Sequence, residues 1–408
     1  MIRLFCVSAV MLLMSQSLLA VPVLGTEEDD VDRPPTLLEV GLQRLQAGEL
    51  DAAENALRGY LRAEPRSTET MMWLAEVLFL KDNLEGAGAQ VRRVIQLDPD
   101  NAAAHHSLSR YHYVHRDFDA SMQSLQRAIE LDPSMFAARI DLADHYMMVA
   151  NDVPQAIAAY EAAIAINPEH AGARYGLGVA HNRAGDFEAA EDAWRYAAML
   201  EPTNPLPMYA LGNSLMMQGK GNEAFAVYAQ ALEAEPQHIE SMLARGRIYA
   251  SRGEAKKALR DFDKVLAIAP GYAPAYLNIG LLKQQRGDDA AAIAAYKLTL
   301  QVDDAQPLAH NNLAWLLAMS QDSRGDALRH ARIATELQPR IGPYWDTLGW
   351  IQHLVGDNEA ARTSLEKAIE LQARQPGVHE HLAKVYVALG DAAAAADVRR
   401  KASSLRED

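Results

Sequence analysis

Apolar and small residues recur along this chain at three- and four-residue steps, which is the spacing of one face of an α-helix. Residues 185–202 read GDFEAAEDAWRYAAMLEP: a glycine turn opens the segment, Ala190, Trp194 and Ala197 share one helical face, and a proline closes it. Residues 219–236 and 253–270 follow the same plan. The pattern therefore predicts a chain built from copies of one helical unit.

Three sets of positions fix the period of this unit at 34 or 35 residues. The first set of small residues is Gly41, Ala75, Ser109, Ala143, Gly178, Gly212, Gly246, Gly280, Ala314, Gly349 and Ala383. The second set of small residues is Ala53, Ala87, Ser121, Ala156, Ala190, Ala224, Ala258, Ala292, Ala327, Ala361 and Ala395. The third set is Pro65, Pro99, Pro133, Pro168, Pro202, Pro236, Pro270 and Pro339, with Asp304 in place of one proline. Eleven units therefore fill the chain from about residue 34 to its end.

Each set predicts a structural role in a helical hairpin. The two small residues of a unit lie about twelve positions apart, on successive helices, where larger side chains would separate the two backbones. Bulky residues four positions after the second set are predicted to fill the layer between neighbouring hairpins, although Ala331 and Arg399 replace them in the ninth and eleventh units. Proline ends the second helix, because it lacks an N–H group and its ring blocks continuation. Glycines are predicted at the hairpin turn, at Gly48, Gly185, Gly219, Gly253, Gly287, Gly356 and Gly390.

These units resemble tetratricopeptide repeats in their 34-residue helix–turn–helix period, in the spacing of Ala258 and Phe262, and in the terminal proline. The resemblance covers about nine tenths of the chain. It implies an all-α, right-handed superhelical solenoid of about eleven hairpins, whose first helices line a concave groove and whose last helix is a cap. Insertions interrupt the period at residues 149–154, 319–325 and 373–375.

The resemblance also places first-helix side chains in the groove as candidates for partner binding. From the third to the sixth unit these are His106, Arg110, Tyr113, Ile140, Asp144, Met147, Tyr209, Asn213 and Met216. From the eighth to the tenth unit they are Asn278, Leu281, Asn311, Asn312, Trp315, Asp346, Trp350 and His353. In tetratricopeptide proteins a groove asparagine bonds the backbone of a bound peptide, so the resemblance implies this role for Asn278 and Asn312. Trp315 and Trp350 hold equivalent places on adjacent hairpins and form a candidate hot spot, unless both rings pack into the interface between hairpins.

Charge and motifs narrow the function. The formal net charge is −15 and no cluster of Lys and Arg occurs, which argues against a nucleic-acid partner. His112, His115 and Asp144 form the best metal candidate in the sequence, but no H-E-x-x-H pair accompanies them. The sequence also lacks a nucleophile elbow, a phosphate-binding loop and a dinucleotide fingerprint. We therefore predict a protein that is not an enzyme, with no cofactor, no bound metal and no small-molecule substrate.

The first 33 residues carry the targeting signals. Residues 1–25 combine Arg3, an apolar run and small residues, which predicts a secretory signal peptide cleaved after Ala20 or Gly25. The alternative is an uncleaved anchor formed by residues 4–24, and only in that case is membrane attachment expected. Residues 26–33 form an acidic linker before the repeats of residues 34–408. Cys6 is the single cysteine, so removal of a leader would leave no thiol in the mature chain.

These observations together predict an exported, periplasmic scaffold that holds an extended peptide or a helix of a partner protein in its groove. By resemblance to exported tetratricopeptide proteins, the setting is cell-envelope assembly, pilus biogenesis, secretion or polysaccharide export. The alternative function is a carbohydrate-binding subunit of an exopolysaccharide machine, with Trp315 and Trp350 as stacking platforms.

Overall fold

The structure, a computed structural model, describes residues 36–371 and 375–407 and places twenty-two α-helices in them. No β-strand occurs within these two described ranges. The predicted signal segment, residues 1–25, and the predicted acidic linker, residues 26–33, lie outside the described residues. So does most of the insertion predicted at residues 373–375.

The chain divides into two compact units between Ser214 and Leu215. The N-terminal unit contains α1 (Leu37–Gln46), α2 (Leu50–Ala63), α3 (Thr68–Leu80), α4 (Leu84–Leu97), α5 (Ala102–Val114), α6 (Phe118–Leu131), α7 (Phe136–His145), α8 (Val153–Ile166), α9 (Ala171–Ala184) and α10 (Phe187–Leu200). Helix α11 (Leu206–Met217) includes the boundary. The C-terminal unit contains α12 (Gly221–Ala234), α13 (Ile239–Ser251), α14 (Ala255–Ile268), α15 (Ala273–Gln285), α16 (Asp289–Val302), α17 (Pro307–Ala318), α18 (Arg324–Leu337), α19 (Gly342–Leu354), α20 (Asn358–Leu371), α21 (Pro376–Ala388) and α22 (Ala392–Glu407).

Odd-numbered helices are the first helices of the predicted hairpins and even-numbered helices are the second. Consecutive helices pack against each other from α1 to α10 and again from α12 to α22. In the C-terminal unit, first helices of neighbouring hairpins also touch, since α19 contacts both α17 and α21. The all-α hairpin architecture predicted from the repeat is therefore confirmed, and it lines up first-helix side chains of successive hairpins.

Local chemistry explains where the helices begin and end. Gly185 takes a φ of 85° at the end of α9, and the carboxylate of Asp186 accepts a hydrogen bond of 3.1 Å from the backbone N–H of Ala189 at the start of α10. Helix α10 ends at Leu200, two residues before Pro202, as the proline predicts. All seven turn glycines take positive φ values. The glycine prediction is therefore confirmed at the backbone level.

The bulky residues differ in part from the prediction. Trp194 was expected in the layer between hairpins, yet its indole lies against Gly178 of the same hairpin. Phe262 covers Gly246, and Tyr296 covers Gly280, in the same way. The first set of small residues is thus small because a bulky side chain of the second helix occupies the space above it. Some bulky residues serve both layers, since Tyr160 also packs with Ala180 of the following hairpin.

The insertions are absorbed locally. The first one forms a π-helical turn, Tyr146–Ala150, followed by Asn151 in the left-handed region at φ 55°. The second forms the 3₁₀ turn Gln321–Ser323. Ala331, predicted to loosen its layer, is fully buried among small and aliphatic residues of α17 to α19. Among the described helices, none combines the length and the apolar character that a membrane crossing requires.

Candidate partner-binding surfaces

The first helices α5, α7 and α9 of three successive hairpins line a cavity of about 570 Å³ in the N-terminal unit, which we call the N-terminal groove. Phe136, Ile140, Met147 and Val179 supply apolar surface. Met148, in the π-helical turn, also lines the cavity and remains 50% exposed. The insertion predicted from the sequence thus contributes a flexible apolar side chain to the edge of the groove.

Two ion pairs join neighbouring first helices across this groove. Arg110 of α5 donates a hydrogen bond of 2.9 Å to the carboxylate of Glu76 on α3. His106 of α5 donates to Asp141 of α7 at 2.7 Å. His106 and Arg110 were predicted to face the groove, and both line its cavity. Their contacts to Glu76 and Asp141 make them part of its wall, with hydrogen-bonding capacity already used inside the chain.

Asp144 is the carboxylate in the groove that contacts no basic side chain, on the evidence of the ion pairs found in the described residues. The hydroxyl of Tyr160 on α8 donates a hydrogen bond to it. Burial raises the pKa of Asp144 to about 6; the bond from Tyr160 opposes this rise, and the negative charge of Asp141 adds to it. The groove therefore holds a partly desolvated carboxylate whose charge is only weakly stabilised.

The other predicted residues of the N-terminal unit lie away from this cavity. Tyr113 packs edge-to-face on Phe118 at 5.5 Å between ring centroids and on His145 at 6.3 Å. Tyr209 is half-buried on α11, and Asn213 is exposed on the same helix. The structure thus brings His106 and Arg110 together in one groove and places Tyr113 in a separate aromatic contact.

A second surface lies on the first helices α17, α19 and α21, which we call the C-terminal aromatic cluster: Trp315, Asp346, Trp350, His353, His381 and Lys384. The ring of Trp350 stacks on His381 at 4.5 Å between centroids, and Trp315 lies 6.4 Å from the same imidazole. Asp346 accepts a hydrogen bond of 2.7 Å from His381. The structure thus brings together four predicted residues, Trp315, Asp346, Trp350 and His353, through a histidine that the sequence analysis did not select.

Trp350 is already engaged on several sides. Lys384 lies 4.8 Å from the centroid of its ring, and His353 lies 5.3 Å from it. Both Trp315 and Trp350 are half-buried. Such rings offer an edge to a partner side chain more readily than a full face to a sugar ring. The cluster therefore has the mixed aromatic and charged character of a protein-binding hot spot.

The two predicted asparagines form bonds within the chain. Asn278 is 9% exposed; its amide oxygen accepts from Arg247 at 3.1 Å, and its amide nitrogen donates to the carbonyl of Pro274 at 2.6 Å. Asn312 donates to the hydroxyl of Tyr296 at 3.2 Å. A bound peptide would have to compete with these bonds, and the role that the resemblance implies for both residues stays a prediction.

The two surfaces share one arrangement that links neighbouring hairpins. His106 pairs with Asp141, 35 residues later, and Asp346 pairs with His381, also 35 residues later. The two pairs occupy the same repeat positions with acid and base exchanged. Searching the sequence for opposite charges one period apart could have identified His381 and Asp141. Glu76, Phe136 and Tyr160 give no such signal, because their place in the groove depends on packing.

The predicted histidine candidates lie in separate contacts. His115 faces Glu85 at 3.1 Å, and His112 lies 3.8 Å from Asp117. Asp144, the third member of that set, is in the groove with Tyr160. Across residues 36–371 and 375–407, no group of three or more His, Cys, Asp or Glu side chains is placed to hold a metal ion.

Comparison with known proteins supports the repeat assignment. A family model described as tetratricopeptide repeat matches residues 41–102, 148–205 and 209–273. A second model of the same description matches residues 273–305 and 342–375, so that more than half of the chain is covered. No curated protein matches the sequence.

Several solved structures are similar in fold. The Cut9–Hcn1 hetero-tetramer of the APC/C is 13% identical, with 91% of this chain and 93% of that chain covered and a TM-score of 0.49. Yeast Tom70 is 14% identical, with coverages of 90% and 91% and a TM-score of 0.44. YrrB, described as a TPR protein with an unusual peptide-binding site, is 23% identical, with coverages of 46% and 96% and a TM-score of 0.37. At such scores these likenesses say nothing about a partner.

Proposed function

The chain belongs to the tetratricopeptide repeat family, and from this premise we propose that it is an exported scaffold that holds a segment of a partner protein against its first-helix side chains. The observation that carries the proposal is the N-terminal groove, where three successive first helices enclose about 570 Å³ with a largely apolar wall. The C-terminal aromatic cluster supplies a second surface of suitable chemistry. Neither surface requires a cofactor or a reaction.

Site-specific photo-crosslinking tests this proposal. Ser107 lies on α5 and lines the groove, so a photoreactive phenylalanine analogue at position 107 should form crosslinks to a partner protein in envelope extracts. The control carries the same analogue at Asp192, an exposed position on the second helix α10. Crosslinks to one protein from position 107 and not from position 192 are the expected result. Equal labelling from both positions would contradict groove binding.

The C-terminal aromatic cluster is tested separately. The double variant Trp315→Ala/Trp350→Ala removes both indoles while leaving the N-terminal groove intact. If the cluster is a second contact, a captured partner should bind this variant at least tenfold more weakly, because buried tryptophans dominate protein interfaces. Retention of full affinity would restrict binding to the N-terminal unit.

Export and its pathway rest on residues 1–25 and on analogy with the family. We propose periplasmic localisation with cleavage after Ala20 or Gly25, and a role in envelope assembly, pilus biogenesis, secretion or polysaccharide export. Sequencing the amino terminus of the mature protein tests the cleavage, since an intact Met1 would favour the anchor formed by residues 4–24. Carbohydrate binding has weaker support, because Trp350 is already contacted by His381 and Lys384.

A further inference from the structure

The groups around Asp144 define what is missing from the N-terminal groove. Tyr160 on α8 donates to its carboxylate, and Asp141 lies one turn away on α7. The cations nearest in the lining, Arg110 and His106, are bonded to Glu76 and Asp141. Negative charge at Asp144 is therefore accompanied by a single hydrogen bond from a neutral donor, although a buried carboxylate is most stable beside a cation.

A purely structural role for Asp144 explains this arrangement poorly. Positioning the hydroxyl of Tyr160 needs only a neutral acceptor, which an asparagine would provide without the cost of burying a charge. The carboxylate also lines an open cavity rather than a closed interior. A side chain that enters the cavity can reach it.

We propose that the N-terminal groove takes a partner segment that places a lysine or arginine against Asp144 and a large apolar side chain against Phe136 and Ile140. This inference rests on the proposed scaffold function and specifies the chemistry of its partner. The basic residue completes the charge of Asp144, and the apolar residue fills the wall between α7 and α9. An acidic segment would be repelled by Asp141 and Asp144 together.

The chemistry favours a peptide over a small amine. A free amine would satisfy Asp144 but leave Phe136, Ile140 and Met148 exposed in the same cavity. A side-chain cation with an apolar neighbour on one backbone satisfies both parts of the wall at once. Binding should weaken as pH falls through 6, where Asp144 takes up a proton, with His106, His170, Tyr113, Tyr160 and Tyr175 as the other titratable groups on the packed helices.

The test begins with a phage-displayed library of random dodecapeptides, selected at pH 7.5 on the wild-type chain and on Asp144→Asn. Asparagine keeps the shape of the side chain and can still accept the bond from Tyr160, so this variant removes the charge alone. We expect peptides selected on the wild type to be enriched in a basic residue near a large apolar one. Selection on Asp144→Asn should lose the basic residue and keep the apolar one.

The most enriched peptide is then synthesised with lysine or with norleucine at the basic position. Its affinity is measured by fluorescence anisotropy against the wild type, Asp144→Asn and the exposed control Asp192→Asn. Loss of the charge on either partner should weaken binding about tenfold to a hundredfold, and loss of both should cost no more than loss of one. Asp192→Asn should bind like the wild type.

The remaining outcomes count against the inference. Peptides without basic enrichment, or peptides that bind Asp144→Asn normally, would overturn it and leave the scaffold function standing. Peptides whose binding depends on Trp350→Ala alone would do the same. A library that yields no binder would overturn it too, and only a simultaneous absence of crosslinks from position 107 would also remove the proposed function.

Discussion

The indole of Trp194 lies so close to Gly178 that a Cβ at position 178 would meet Trp194 Cδ1 and Nε1 at 2.6 Å. Trp194 belongs to α10 and Gly178 to α9, so the contact lies within one hairpin. The second hairpin pairs Ala75 with the smaller Val91 in one buried cluster. The size of each small residue is therefore matched to the bulky residue above it.

Replacing Trp194 with alanine should destabilise the fifth hairpin most. Trp194 is 2% exposed, and truncation of a buried tryptophan costs about 3–5 kcal/mol. Urea unfolding combined with hydrogen exchange should show the earliest loss of protection in α9 and α10. Met199→Ala on the same helix is the control, because Met199 is 63% exposed and its loss should cost less than about 0.5 kcal/mol.

The match between Gly178 and Trp194 also predicts an interaction between two substitutions. Gly178→Ala should cost about 1–3 kcal/mol in the wild type, because the added methyl group collides with the indole. In a Trp194→Leu background the same change should be tolerated, since a smaller side chain leaves room for the methyl group. A double-mutant cycle measures the coupling, and an equal cost in both backgrounds would refute the steric explanation.

Periodicity was enough to predict the hairpins, because the features that end a helix are local. Pro202 and Gly185 act through their own backbones, so their effect can be read without knowing any distant contact. The partner of the small residue was not readable in this way. Gly178 was expected to admit a second backbone, whereas the structure places the side chain of Trp194 there.

The candidate sites were predictable only in part, because a groove side chain is shared between hairpins. Trp315 and Trp350 could be paired from their 35-residue spacing, but the imidazole that contacts both comes from a third hairpin, at His381. Asn278 has the residue type expected of a groove contact, yet Arg247 and Pro274 take up its amide. Side-chain competition of this kind has no signature in the period of one repeat.

Arg116 offers a route to a more stable chain. It holds the turn position that glycine fills in seven other hairpins, and its φ is 60°. The left-handed conformation costs an ordinary residue about 1–2 kcal/mol, part of which Arg116→Gly should recover after the entropy cost of glycine. The expected gain is about 0.5–1 kcal/mol in urea unfolding of the N-terminal unit. Gly48→Arg should produce a loss of similar size; no change in either variant would contradict the argument.

The histidine pair between α17 and α18 predicts acid sensitivity of the C-terminal unit. The Nδ1 atoms of His310 and His330 lie 2.8 Å apart, so both rings cannot carry a proton there without repulsion. Burial, and then the charge of His310, lower the pKa of His330 to about 4. The unfolded chain binds a proton below about 6.5 that the folded chain refuses, so stability falls as pH drops from 6.5 towards 4.

Between pH 7 and pH 5, this site should remove up to about 2 kcal/mol from the stability of the wild type. His330→Gln should show a smaller loss, because the second imidazole is gone. Hydrogen exchange in α17 and α18 at the two pH values provides the measurement. The control is His115→Gln, an exposed histidine of the N-terminal unit, which should keep the wild-type response; an unchanged response in His330→Gln would contradict the prediction.

Asp144 should have the opposite dependence on pH. Its pKa is raised from 3.8 to about 6, so between these values the folded chain binds more protons than the unfolded chain, and stability falls as pH rises. Asp144→Asn has no charge to bury and should exceed the wild type by up to about 3 kcal/mol at pH 7, with little difference at pH 4. Asp192→Asn, at an exposed position, should differ little from the wild type at either pH. A stability difference that is the same at pH 4 and pH 7 would show that the charge of Asp144 is not the cause, and would remove the energetic reason for a basic partner residue in the groove.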